Sequence, residues 1–327
     1  MRFQAGSVHE KEWIALVSQV RLRVETKNKK KNQIMTKLKG KAPEAVEPGK
    51  TKAMIFGASG VGKTWFTLTF PKPFYVDTEG GADLKHYQER LKVAGGVYLG
   101  PADGALDFST VLEQMQALAT ETHPYQTLII DSITKLYQTA IANEAERLGD
   151  KDAFGASKKP AIAWMRRLIA WTQKLDMNVW FVAHDIAEWG LDPKTGQRTE
   201  IGRMPDVFEK LVYELDLTLH AQKRGQSRVA VVRKSRLLSF PDLETFPLEY
   251  SDFAGRYGKE FIEAPTKQFT LATPEQVAEI KRLLSIVKVS EADIEKLMTK
   301  AEAETWEELS TDQAVGTIKW LNKKISG

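Results

Sequence analysis

The residues Gly57-Ala58-Ser59-Gly60-Val61-Gly62-Lys63-Thr64 follow the spacing G-x-x-x-x-G-K-[ST]. That spacing suits a polyphosphate. Several negative charges on closely spaced oxygens need many donors that converge without side chains in the way. Glycines let the backbone wrap so that successive N–H groups point inward. A helix opening near Gly62 adds its own unpaired N–H groups and the positive end of its dipole. Lys63 supplies a point charge for the β- and γ-phosphates of a bound ATP, and Thr64 a hydroxyl for Mg2+. An eight-residue match of this kind arises by chance in roughly one chain per hundred of this length.

Two further acidic positions fit the same chemistry. Thr127-Leu128-Ile129-Ile130-Asp131-Ser132 is an apolar run that ends in an acid. It places Asp131 at the carboxyl edge of a buried strand, where open α/β sheets bind ligands, and Asp131 there can hold the water shell of Mg2+. Phe74-Tyr75-Val76-Asp77-Thr78-Glu79-Gly80-Gly81 places an acid just past another strand. Glu79 is the candidate to activate water for hydrolysis, with Asp77 the alternative. A third reading makes both of them turn residues before the glycines.

The elements that must carry these residues are legible as alternation. Apolar runs at Ala53–Phe56, Phe74–Val76, Val97–Leu99, Thr127–Ile130, Val179–Ala183, Leu215–Leu219 and Arg228–Val232 read as strands. Helical spacing occupies Phe108–Ala119 and Ala161–Leu175 between them. Such alternation predicts a parallel α/β sheet, covered on both faces where the runs are continuously apolar. The last two runs flank Gln222–Ser227, with Gly225, and predict a hairpin on the sheet edge. Residues 263–273 read as a linker, followed by a small helical module. Its helices are capped by Thr273-Pro274-Glu275-Gln276, by Ser290, and by Ser310 with Gln313.

Of 327 residues, 42% are hydrophobic and 28% charged, and the net charge of +4 names no partner by itself. Cys is 0. Disulfides, thiol nucleophiles and thiolate-ligated metals are therefore excluded. No apolar run reaches the ~18 residues of a membrane span, so a soluble intracellular protein is expected. Residues 27–41 carry seven Lys and no acid. They read as a solvated arm or a nucleic-acid contact. Trp13–Val20 holds one short amphipathic segment, and Met35 offers a second start. The expected organisation is a basic arm at 1–49, an ATPase core at 50–262, the linker at 263–273 and the helical module at 274–327.

Asp77-Thr78-Glu79-Gly80 after the phosphate-loop unit resembles the RecA family of strand-exchange recombinases, as do Thr127–Ser132 and Val179–His184. Residues 50–262 are most similar to the compact, phage-encoded members linked to recombination and single-strand annealing. The resemblance implies a RecA-like P-loop NTPase core with a largely parallel sheet. It makes Glu79 the catalytic base and His184 the γ-phosphate sensor, although the family more often has Gln or Asn there. It makes Lys234-Ser235-Arg236 a basic pair, Lys234 and Arg236, reaching a neighbouring subunit's ATP. It implies a ring or filament, cytoplasmic in a bacterial host, that binds single-stranded DNA through Gly149–Pro160 and Asp185–Asp206. In the second of these, Trp189 is placed to stack on a base. A single-strand-binding protein is a possible partner of the C-terminal module.

The leading expectation is a DNA-stimulated ATPase of recombination or annealing, with ATP and Mg2+ as cofactors. A replicative helicase or helicase loader shares the core, and a nucleotide-switched DNA-binding module needs little turnover. A small-molecule kinase would need an Arg-rich lid. Arg166-Arg167, the one adjacent Arg pair, reads instead as the solvent face of a helix.

Overall fold

A computed structural model describes residues 49–152, 155–301 and 303–326. The Lys-rich stretch 27–41, the Trp13–Val20 segment and Met35 lie outside the described residues. The chain runs through β1 (Lys52–Phe56), α1 (Lys63–Thr67), β2 (Pro73–Asp77), α2 (Lys85–Ala94), β3 (Val97–Leu99), α3 (Phe108–Thr120), β4 (Thr127–Asp131) and α4 (Ile133–Leu148). Then follow α5 (Lys158–Lys174), β5 (Asn178–Ala183), β6 (Asp185–Leu191), β7 (Arg198–Pro205), α6 (Glu209–Glu214), β8 (Leu217–Arg224), β9 (Ser227–Ser235) and β10 (Thr245–Pro247). The last elements are α7 (Tyr250–Tyr257), α8 (Lys259–Ile262), α9 (Pro274–Ile286), α10 (Glu291–Ala301) and α11 (Thr311–Ser326).

Eight strands form one sheet in the order β10-β9-β8-β1-β5-β4-β2-β3. From β8 to β3 every neighbouring pair is parallel. The β8–β9 hairpin turns at Gly225 and is antiparallel, and β10 adds one more antiparallel strand outside it. This is the expected α/β core with its hairpin toward one edge. Register does the positioning. Phe56 pairs with both Ala183 and His220, and Asp131 with both Asp77 and Val182. The residues that follow β1, β2, β4 and β5 therefore emerge together at one edge of the sheet.

Residues of β1, β4 and β5 are buried throughout because helices cover both faces. One face packs Met54, Leu128, Ile130 and Phe181 against α3, α4 and α5 through Leu112, Leu136, Leu168 and Trp171. The opposite face packs Ile55, Ile129, Trp180 and Val182 against Phe66, Phe70 and Phe253. Each such side chain contributes about 1.5–3 kcal/mol by leaving water. This second face matters most for the site. A five-residue helix such as α1 does not persist alone. Phe66 anchors it, with ring centroids 5.3 Å from Trp180 and 6.0 Å from Phe253.

The C-terminal helices enclose a separate apolar cluster of Ile280, Leu283, Leu309, Ala314 and Leu321. Thr273 and Gln276 form a capping box, Ser290 accepts the Asp293 amide, and Ser310 and Gln313 cap each other reciprocally. Glu308 joins this module to the core. Its carboxylate accepts from Arg167 at 2.5 Å and from Gln116 at 3.3 Å. Arg167 is therefore a contact between α5 and the module. The expected solvent face of α5 is correct for Arg166, which is exposed, and not for Arg167.

The two segments expected to bind single-stranded DNA, Gly149–Pro160 and Asp185–Asp206, carry regular structure as well. Residues 185–206 form the antiparallel β6–β7 hairpin, paired from Asp185–Pro205 to Leu191–Arg198. Alternating polar and apolar residues allow two mutually paired strands with no helix to cover them, so the segment gives no continuous apolar run to read. Lys158 and Lys159 open α5. Pro160 sits in the first turn of that helix, where its missing N–H is not needed.

Candidate nucleotide-binding site

The loop after β1 takes its shape from three glycines. Gly57, Gly60 and Gly62 have φ of 147°, 70° and 98°. A Cβ on Gly57 would lie 2.5 Å from the Ala221 carbonyl oxygen of β8, and one on Gly62 would lie 2.9 Å from the Arg228 side chain. Backbone conformation favours glycine at all three, and at Gly57 the neighbouring strand also excludes a side chain. Gly62 caps α1, so Lys63 and Thr64 occupy the first turn of that helix. Lys63 Nζ donates to the carbonyls of Gly57 at 2.7 Å and Ala58 at 2.9 Å. Burial lowers the Lys63 pKa against the pull of the Asp131 carboxylate.

Thr64 Oγ1 donates to Asp131 Oδ2 at 2.5 Å. Asp131 ends β4, and the peptide that follows it is cis. Burial pushes its carboxyl up to about 6, although the Thr64 hydroxyl and Lys63 pull it down. Among the described residues no group of three or more His, Asp and Glu could hold a metal. The oxygens of Thr64 and Asp131 nevertheless fit Mg2+, which keeps several waters and takes one or two protein oxygens beside phosphate. The loop of positive-φ glycines fits the phosphates themselves.

The structure separates the two acids at the end of β2. Asp77 is buried, and its carboxylate accepts from the amides of Glu79 (3.1 Å), Gly80 (3.0 Å) and Ala82 (2.6 Å). It builds the turn. Glu79 is carried to the cleft by that turn. Its Oε1 lies 2.7 Å from the Ser132 hydroxyl, which donates to it, and 2.6 Å from His184 Nε2. Burial raises the Glu79 pKa, but the Ser132 and His184 hydrogen bonds together outweigh it and hold the carboxyl below its usual range. Thr78 ties the strand ends: its amide donates to the Asp131 carbonyl at 2.8 Å, and its hydroxyl accepts the Ser132 amide at 2.7 Å.

His184 stands between β5 and the β6–β7 hairpin. Its amide donates to Thr134 Oγ1 at 3.0 Å, and its carbonyl accepts the Asp206 amide at 2.9 Å. The Thr134 hydroxyl donates to the Asp206 carbonyl at 2.7 Å. Both feet of the hairpin are thus tied to α4, one residue from the group that touches Glu79.

Lys63, Thr64, Glu79, Asp131 and His184 converge on one cleft of about 500 Å³, together with Gly57, Ser59, Gly60 and Gly62. Lys234 and Arg236 do not. Lys234 Nζ donates to the carbonyls of Tyr213 (3.2 Å) and Leu215, and Arg236 to those of Glu214 (3.2 Å) and Tyr213. Within one chain these cations sit on the carboxyl end of α6, a favourable place for positive charge. Sequence reasoning missed Tyr75, Tyr87 and Asp185, which also line the cleft, and Ser132 as a donor to Glu79. None of them belongs to a spaced motif. A hydroxyl just after a strand-ending acid was the one signal available.

A glycine-shaped loop after the central β1, an acid ending β4 and a second acid after β2 define a P-loop core on a largely parallel α/β sheet. The chain belongs to the AAA domain family, whose profile matches residues 49–239. The crystal structure of the RadB recombinase is similar to it at 20% identity and a TM-score of 0.34, over 59% of this chain and 84% of that chain. No curated protein matches the sequence. Among the described residues no helix is long and apolar enough to cross a membrane.

Proposed function

We propose that the chain binds ATP with Mg2+ in this cleft, hydrolyses it, and couples the nucleotide state to single-stranded DNA held by the β6–β7 hairpin. The observation that carries the reading is the placement of Glu79. It is a half-exposed carboxylate held ionised by two hydrogen bonds, in the same cleft as Lys63, Thr64 and Asp131. In this reading the loop amides and Lys63 bind and orient the phosphates. Mg2+, when bound, would neutralise phosphate charge as it develops on the departing group. Glu79 accepts a proton from the attacking water, and Ser132 keeps its carboxylate aimed. His184 divides its hydrogen bonding between Glu79 and the feet of the hairpin, so a change at the phosphates is felt there.

The hairpin has chemistry suited to a single strand. Trp189 and Ile201 are exposed, and the Arg198 guanidinium lies 5.3 Å from the Trp189 ring centroid. Aromatic faces with neighbouring cations bind unstacked bases and phosphates. Lys234 and Arg236 would complete a neighbouring subunit's site in a ring or filament, leaving their α6 contacts to do so. The biological setting in this reading is phage recombination or strand annealing.

The test is steady-state ATPase activity with and without single-stranded DNA. Turnover should rise with DNA. Glu79→Gln should lose about 10²–10⁴-fold in turnover while still binding nucleotide, the range for removing a general base. Normal hydrolysis by that variant would refute the role of Glu79. Unwinding of a forked duplex would instead favour a helicase, and annealing that persists in Lys63→Ala a nucleotide-switched binding module.

A further inference from the structure

We propose that the groove between α10 and α11 docks an acidic peptide segment bearing an apolar side chain, presented by a partner protein. The inference does not rest on the nucleotide reading. The groove has a volume of about 510 Å³, within the size of ordinary ligand sites. Leu297, Ala301, Gly316 and Trp320 line it, with Lys296 and Lys300 also contributing.

Three features make it a surface shaped for an occupant. First, α10 carries Ile294, Leu297 and Met298 toward one side, yet Ala301 is its one buried residue. Its apolar face is left half covered. Second, Gly316 lies inside α11, where glycine costs about 1 kcal/mol relative to alanine. Its backbone has no positive φ, and an added Cβ would meet nothing within 4 Å. Neither conformation nor packing within the chain calls for glycine, and its absent side chain keeps the groove open. Third, the charges have a sign. Asp293 is paired with Lys324 at 3.2 Å. Lys296 and Lys300, one turn apart on α10, have no salt bridge among the described residues.

A ligand must therefore offer an apolar group to the Leu297–Trp320 floor and carboxylates to two lysines. The chain's own segment 27–41, with seven Lys and no acid, complements neither lysine. A nucleic-acid backbone would satisfy the lysines but leave the apolar floor unused. An acidic, apolar peptide satisfies both halves.

The experiment is fluorescence anisotropy of a labelled short peptide of alternating aspartate and phenylalanine, titrated with the full chain. Saturable binding is expected, weakening as salt rises. Lys296→Glu with Lys300→Glu should weaken it by about tenfold or more through reversed rim charge. Gly316→Leu should abolish it by filling the groove, with melting temperature not lowered and nucleotide binding unchanged. Gly316→Ala, which leaves most of the space, should retain it. Absence of saturable binding, or equal binding by wild type and both blocking variants, would overturn the proposal. So would self-association that Gly316→Leu abolishes, since the occupant would then be a second copy. Loss of oligothymidylate binding in the double lysine variant, with peptide binding intact, would overturn it in favour of nucleic acid.

Discussion

Asp131 and Glu79 are two carboxylates in one cleft with opposite environments. Glu79 has two donors that favour its charge, whereas Asp131 is fully enclosed with one hydroxyl and a nearby ammonium. Burial therefore lifts Asp131 from 3.8 to about 6. An acid whose folded pKa is raised binds its proton more tightly in the folded state. The associated stability is present below pH 4 and is lost as pH rises through 6. At pH 8 the ionised side chain then costs on the order of 3 kcal/mol in the protein without metal. Asp131→Asn keeps an acceptor for Thr64 and removes the charge. Its melting temperature, measured without metal or nucleotide, should exceed that of wild type at pH 8, and the gain should vanish toward pH 4. A gain independent of pH would show that ionisation is not its source. If Asp131 holds Mg2+ as proposed, the same variant should lose Mg2+-dependent stabilisation by ATP, because the charge offered to the metal is removed.

The β6–β7 hairpin shows how an element can be missed when its neighbours are read. Parallel strands of the core announce themselves because both faces are buried. The hairpin stands apart in its own two-stranded sheet, pairs only with itself, and leaves Ile186, Trp189, Leu191 and Ile201 exposed. Its rigidity comes from ladder hydrogen bonds, the Arg203–Asp185 pair at 2.8 Å and the Arg233–Glu188 pair at 2.9 Å. A paired hairpin presents side chains at fixed positions, unlike a disordered loop, so single substitutions are informative. Trp189→Ala should weaken single-stranded DNA binding by about tenfold or more, since base stacking contributes about 1–3 kcal/mol. Anisotropy with labelled oligothymidylate measures it. Melting should move little because Trp189 is exposed. Unchanged affinity would remove Trp189 from the DNA surface.

At the scale of the molecule, Glu308 is one of the contacts that hold the C-terminal helices against the core, through Arg167 and Gln116. It is nearly buried, and Arg167 is only 26% exposed. Glu308→Ala leaves Arg167 without that partner and should cost about 2–3 kcal/mol at this contact, below the range for a fully enclosed pair. Limited proteolysis should then cut within residues 263–273 faster than in wild type, with ATP binding retained. An unchanged cleavage rate would show that Phe269 and Leu271, packed on the core, hold the connector alone. The sequence by itself determined what depends on local spacing. The phosphate loop, the buried strands, the β8–β9 hairpin and the helix caps each need only neighbours along the chain. It named Glu79 as the base but kept Asp77 as a competitor, because both are acids two residues apart, and it placed Arg167 in solvent. Only the tertiary structure assigned Asp77 to the turn and Glu79 to the cleft, drew Ser132 and His184 onto the same carboxylate, and turned Arg167, Lys234 and Arg236 toward partners far away in sequence. Parallel register and packing bring such groups together, and neither is written in the order of residues around any one of them.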